Sequence, residues 1–183
     1  MTKPKSWSGD DGWTDTLGAG RVEKSSLRIE CLGTLDESSA ALGLAKSFCS
    51  DAETKSQIEH IQQTLYRLMT EVAASSESVC KFAGVTTQDV LWVEEEVRGI
   101  ESSVEIPGEF ILPGSTRLSA ALDLTRTIIR RAERRMVDLS LRGGYKNLEG
   151  QKFINRLSSL IFYMEIREIV SQKDPGKFIT REI

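Results

Sequence analysis

Apolar side chains recur at intervals of three and four along most of this chain, the spacing that lines one side of an α-helix. The first such run covers 26–50, where Leu27, Cys31, Leu35, Leu42 and Leu44 mark the buried side and Gly33 and Gly43 allow close backbone approach. A second run, 52–74, is carried by Ile58, Ile61, Leu65, Leu68, Met69 and Val72 and predicts a helix buried along one stripe. Thr86 or Thr87 is placed to cap a third helix ending near 103 that carries Val90, Leu91, Val97 and Ile100, with Asp89 in the first turn, where the helix dipole favours an acid. Ser115 or Thr116, after the Pro113-Gly114 turn, starts a fourth helix that runs to about 141 and is stopped by Gly143 and Gly144. A fifth, from about 149 to 171, buries Phe153, Leu157, Leu160, Ile161 and Met164.

Residues 1–24 follow a different rule. Ser8, Gly9, Asp10, Asp11, Gly12, Gly18 and Gly20 interrupt them too often for a helix, which predicts an extended, turn-rich arm. No stretch alternates like a strand, so the fold expected is all-α, an up-and-down bundle of five helices (25–172) with an N-terminal arm (1–24) and a short tail (173–183). A length of 183 residues suits one domain.

The net charge of −3 offers no overall basic field for nucleic acid or an anionic membrane, so an anion site must come from local clustering. No apolar run is long enough to span a bilayer or form a signal core, which predicts a cytoplasmic protein without membrane or nucleic-acid partners. Cys31, Cys49 and Cys80 lack metal or redox spacing and read as reduced structural thiols, and His60 has no second ligand near it for a metal.

The fourth helix carries the chemistry. Arg126, Arg130 and Arg134 share one face at intervals of four, with Arg131, Glu133 and Arg135 beside them. A solvated basic face neutralised by Glu133 and Asp138 is the plain alternative. Against it, Leu122, Ile129, Ala132, Val137 and Leu141 place an apolar stripe alongside, where an unpaired guanidinium is costly and a bound anion would relieve it. Arginine suits phosphate because its planar fork donates two parallel bonds. The arm's turn from Ser8 to Thr14, with Lys24 and Arg28 following, supplies backbone N–H groups and positive charge for the same ligand class, although it is neither a Walker loop nor a Rossmann fingerprint. No side-chain set resembles a nucleophile with its base, so a reaction here would use a nucleophile brought by a substrate.

These motifs, in order, are Gly9-Asp10-Asp11-Gly12 with Thr14, Arg21-Val22-Glu23-Lys24, Gly33-Thr34-Leu35-Asp36-Glu37, Phe110-Ile111-Leu112-Pro113-Gly114, Arg126, Arg130-Arg131-Ala132-Glu133-Arg134 and Asn155-Arg156-Leu157-Ser158. Together they resemble the PduO-type ATP:cob(I)alamin adenosyltransferases over nearly the whole chain. The resemblance implies a homotrimer with MgATP held between subunits and cobalamin above it. It also implies a reaction in which cobalt(I) attacks the 5′ carbon of ATP and triphosphate leaves, with a reductase upstream and an adenosylcobalamin-dependent mutase downstream.

By the same resemblance Ser6, Trp7, Ser8, Gly9, Thr14, Asp15, Lys24, Arg130, Arg131, Glu133, Arg134 and Asn155 would hold ATP and its Mg2+. Asp36 would pair with Arg126 across the subunit boundary, and Phe110 would press on the lower face of the corrinoid and displace its axial base. The chain departs from the family pattern at Ser6-Trp7, where threonine and a cation are usual, at Asp123 for histidine, at Ser159 for aspartate and at Ile166 for arginine. A weakened relative acting as an ATP or cobalamin sensor or carrier is the alternative that these departures suggest.

Overall fold

The computed structural model describes residues 9–18, 20–74, 82–105, 110–172 and 178–179. Five long helices dominate it: α1 (Leu27–Phe48), α2 (Ala52–Ala73), α3 (Thr87–Ser103), α4 (Arg117–Leu141) and α5 (Leu148–Ser171). Their starts follow from local chemistry. Asp51 accepts a bond from the Thr54 amide, and Thr86 with Asp89 and Thr116 with Ser119 form reciprocal capping boxes, so the first amides of α2, α3 and α4 are satisfied by side chains. Gly143, at φ 73°, closes α4 in a conformation that only glycine adopts freely.

α1 packs on α2 and α4, and α5 packs on α4 and α3. All five helices contribute to one apolar cluster that includes Leu35, Leu65, Val93, Ile129 and Phe153. Buried polar ties join helices that the core alone would leave free to slide. The Arg67 guanidinium of α2 forms a two-pronged pair with Asp89 of α3, and Arg167 of α5 reaches Thr54 at 3.0 Å and Gln57 at 2.6 Å on α2.

The extended, turn-rich arm closes into a hairpin: β1 (Trp13–Asp15) pairs antiparallel with β2 (Arg21–Glu23), setting Thr14 opposite Val22. Strands of three residues are too short to show alternation, which is why the pattern reads as turns alone. Likewise β3 (Phe110–Ile111) pairs with β4 (Phe178–Ile179), bringing the tail back to the loop ahead of α4. Leu44, expected inside, is 48% exposed, because the buried side of α1 continues through Leu42 and Ala45.

Candidate functional site

On α4 the buried stripe runs through Leu122, Ile129, Ala132, Met136 and Leu139. Val137 and Leu141, also expected to be buried, lie instead with Arg130 and Arg134 on the outward ridge. There they join Glu133, Asp138 and Asn155 of α5 around a cleft of about 510 Å³ between α4 and α5. The volume falls in the range of small-molecule sites. One part of its lining is cationic and another apolar.

From Arg126 to the C-cap Arg142 the basic residues divide into two groups. Arg131 pairs with Glu37 and Arg135 with Glu30 at 3.2 Å on α1, Arg126 pairs with Asp123 at 2.5 Å, and Arg142 pairs with Asp138 at 2.9 Å. Arg130 and Arg134, both exposed in the cleft, have no carboxylate partner among the described residues; Arg134 donates only to the Arg130 carbonyl, at 3.0 Å. The two acids expected to neutralise this face are engaged elsewhere, Asp138 by Arg142 and Glu133 by the Asn155 amide at 2.6 Å. The cleft therefore presents two available guanidinium groups beside a fixed carboxylate–amide pair, an arrangement suited to a polyanion that carries a cation.

The hairpin forms a second element. Gly12 donates its amide to the Gly9 carbonyl at 3.2 Å, and the Lys24 amide donates to the Gly12 carbonyl at 2.9 Å. The Lys24 ammonium reaches the Gly9 carbonyl at 2.6 Å and crowds the place where a Cβ would stand, 2.7 Å away. Arg21 clamps Asp11 with two bonds of 2.7 Å, and this contact holds the Asp11 carboxyl down at about 2. Gly9 and Lys24 thus meet through strand pairing, with Thr14 half-buried and Asp15 exposed on β1. Ser6, Trp7 and Ser8 lie outside the described residues, as does Cys80. Phe110 is placed on β3 by its backbone pairing with Ile179. Asp36 is exposed on α1 without a partner among the described residues, while Arg126 is held by Asp123 of its own helix.

Sequence reasoning missed Glu165. It is 2% exposed, and burial, then the nearby Asp123 charge, push its carboxyl up to about 7, with Arg126 opposing. A signal existed: Glu165 follows Ile161 by one turn inside the apolar run of α5, so it must share that buried side. A carboxyl raised by folding binds its proton more tightly in the native state, so its contribution to stability falls as pH rises from the unfolded value towards 7. Glu165→Gln should therefore melt a few degrees above the wild type at pH 8 and lose that advantage at pH 5, in paired thermal denaturation curves. A gain independent of pH would contradict this assignment. Ile166, where the family pattern has arginine, is fully buried in the core beside it, and Ser159 is exposed.

Among the described residues no group of histidines, cysteines or carboxylates is arranged to hold a metal ion, and no helix is long and apolar enough to cross a membrane. The family model described as cobalamin adenosyltransferase matches residues 5–168. The chain is 34% identical over 156 residues to the corrinoid adenosyltransferase PduO of Salmonella typhimurium, covering 85% of this chain and 46% of that protein. It therefore spans about half the length of that relative. A corrinoid adenosyltransferase of Citrobacter freundii is 30% identical over 159 residues, covering 86% of this chain and 89% of that protein. Among solved structures, a variant of the PduO-type ATP:corrinoid adenosyltransferase from Lactobacillus reuteri complexed with cobalamin and ATP superposes with a TM-score of 0.87 at 30% identity, over 98% of this chain and 97% of that one. A second variant of that protein, complexed with ATP, gives 0.85 at 30% identity over 96% and 99%. With the family model matched over residues 5–168 and relatives at 30% identity or more covered almost throughout, the chain belongs to the cobalamin adenosyltransferase family.

Proposed function

We propose that this protein transfers the 5′-deoxyadenosyl group of ATP to cob(I)alamin, giving adenosylcobalamin and triphosphate. The observation that carries the reading is the selective pairing on α4: Arg126, Arg131 and Arg135 are neutralised within the chain, whereas Arg130 and Arg134 line the cleft with no carboxylate partner among the described residues. The corrinoid supplies the nucleophile, so that a carbon–cobalt bond forms as the 5′ carbon–oxygen bond breaks and triphosphate keeps the electron pair. The protein then has two tasks, orientation of ATP and stabilisation of the charge that gathers on the leaving phosphates.

Arg130 and Arg134 perform the second task, since charge on the departing triphosphate grows along the reaction and rewards their guanidinium groups more in the transition state than in the bound substrate. Glu133, oriented by Asn155, offers oxygen towards the Mg2+ that accompanies the phosphates. The hairpin contributes Gly9, Thr14, Asp15 and Lys24, and we extend the same role to Ser6, Trp7 and Ser8 ahead of it. Phe110, its backbone fixed by the β3–β4 pairing, serves the corrinoid side. Arg131, occupied by Glu37, braces α4 against α1 at the edge of this site.

The assembly proposed is a cytoplasmic homotrimer in which Asp36 of one copy meets Arg126 of the next. The exposed Leu44 and Phe48, eight and twelve positions after Asp36 on α1, support a covered face there. A reductase would deliver cobalt(I), and an adenosylcobalamin-dependent mutase would take the product. Calorimetric titration with MgATP tests the nucleotide half directly: saturable binding at one nucleotide per chain is expected, and no binding by folded protein would refute the reading.

A further inference from the structure

The C-terminal turn of α2 is gripped by groups that the proposed reaction does not use. Arg28, in the first turn of α1, donates to the carbonyls of Val72, Ala74 (3.2 Å) and Gly144 (3.0 Å). Leu17, at the end of the hairpin's first arm, donates its amide to Ala73 at 3.1 Å. Glu71, 8% exposed, accepts from the Tyr145 hydroxyl at 2.7 Å and from the Asn147 amide at 2.8 Å, and that amide also bonds the Val85 carbonyl at 2.9 Å. The fit is close on both sides: a Cβ at Gly84 would overlap the Glu71 carboxylate, and one at Gly150 would overlap the Tyr145 hydroxyl. Burial, then the bond to Glu71, push the Tyr145 phenol upward, so it remains a donor throughout the ordinary pH range.

We propose that Arg28, Glu71 and Tyr145 are positioning residues for the nucleotide, fixing the root of the hairpin that carries Gly9, Thr14 and Lys24 relative to the α4–α5 turn. This role rests on the proposed ATP reaction. The turn follows Leu141, which lines the cleft, and Asn147 caps the helix that presents Asn155. The two parts of the proposed nucleotide site are thereby referred to one rigid point, the end of α2. A carboxylate buried against two neutral donors is a costly way to fill a core and an effective way to fix three segments in one geometry. None of these groups needs to touch ATP.

Tyr145→Phe removes one hydrogen bond and keeps the ring, and Arg28→Lys keeps the charge but cannot span three carbonyls. Calorimetric affinities for MgATP and for cobalamin, with hydrogen exchange at the Leu17 and Lys24 amides, test the assignment on wild type and both variants. Each folded variant should bind MgATP about tenfold more weakly, keep its cobalamin affinity and exchange those two amides faster. Wild-type MgATP affinity in either folded variant, an equal loss for both ligands, or failure of both variants to fold would overturn the positioning role. A wild-type protein that does not bind MgATP would instead remove the reaction on which the role rests.

Discussion

Arg130→Ala should lower turnover by about 10²–10³ while the melting temperature stays within a degree or two of wild type. The side chain is exposed and has no carboxylate partner among the described residues, so folding loses no ion pair when it is removed. The triphosphate, in contrast, loses a donor placed where leaving-group charge develops. The effect should fall on kcat more than on KM, because the interaction strengthens only as the bond breaks. Neighbouring Arg135→Ala is the control. Its ion pair with Glu30 is exposed on both sides and contributes about 0–1 kcal/mol, so that variant should stay close to wild type in both activity and stability. Steady-state kinetics and thermal melts on the two variants check the contrast. Retained turnover in Arg130→Ala, or a matching loss in Arg135→Ala, would contradict the division of α4 into paired and available arginines.

The opposite profile is expected from Asp89→Ala. Its carboxylate, 9% exposed, accepts both prongs of Arg67 and bonds the Thr86 amide at 2.8 Å and hydroxyl at 2.7 Å. The substitution strands a partly buried guanidinium and opens the cap of α3 at one stroke. A loss of about 3–5 kcal/mol follows, or roughly 6–20 °C in melting temperature for a chain of this size. Activity per folded molecule should change less than twofold, since α3 lies outside the cleft lining. The pH dependence gives a second signature. Burial alone would raise this carboxyl, but the bonds from Arg67 and Thr86 outweigh it and hold the carboxyl below its ordinary value. The stabilisation is therefore present above the unfolded value near 4 and disappears as pH falls through the lower folded value. Wild type should lose this increment of stability in acid, and the variant should have none of it to lose. Equal melting temperatures at pH 7 would contradict the account of the Arg67–Asp89 tie.

These two residues also show where the chain's pattern was legible. Asp89 could be read as a first-turn acid three positions after Thr86, and the five helices could be read because apolar periodicity and capping residues agree at α2, α3 and α4. The hairpin was hidden by its three-residue strands, whose pairing depends on a long-range return of the chain. On α4, helical spacing placed Arg126, Arg130 and Arg134 on one face but could not say which of them is neutralised. Arg131 finds Glu37 at a separation of 94 positions, a choice made by packing of α1 on α4. Arg126, in contrast, is held by Asp123 three positions back, a local pair that was visible in the pattern but read only as a departure from the family. Glu165 and Glu71 went unread for a shared reason, that a polar group amid apolar neighbours announces burial and only the fold names its partners, whereas Arg28, read as positive charge for an anion, donates instead to backbone carbonyls.

The central claim is adenosyl transfer itself, and it is tested most directly by an anaerobic spectrophotometric assay of cob(I)alamin with MgATP. The account predicts protein-dependent loss of the cobalt(I) absorption, a light-sensitive adenosylcobalamin product and release of one triphosphate per product. Folded protein that binds MgATP yet forms no light-sensitive product would contradict it, and would make this chain a nucleotide-binding relative rather than an enzyme.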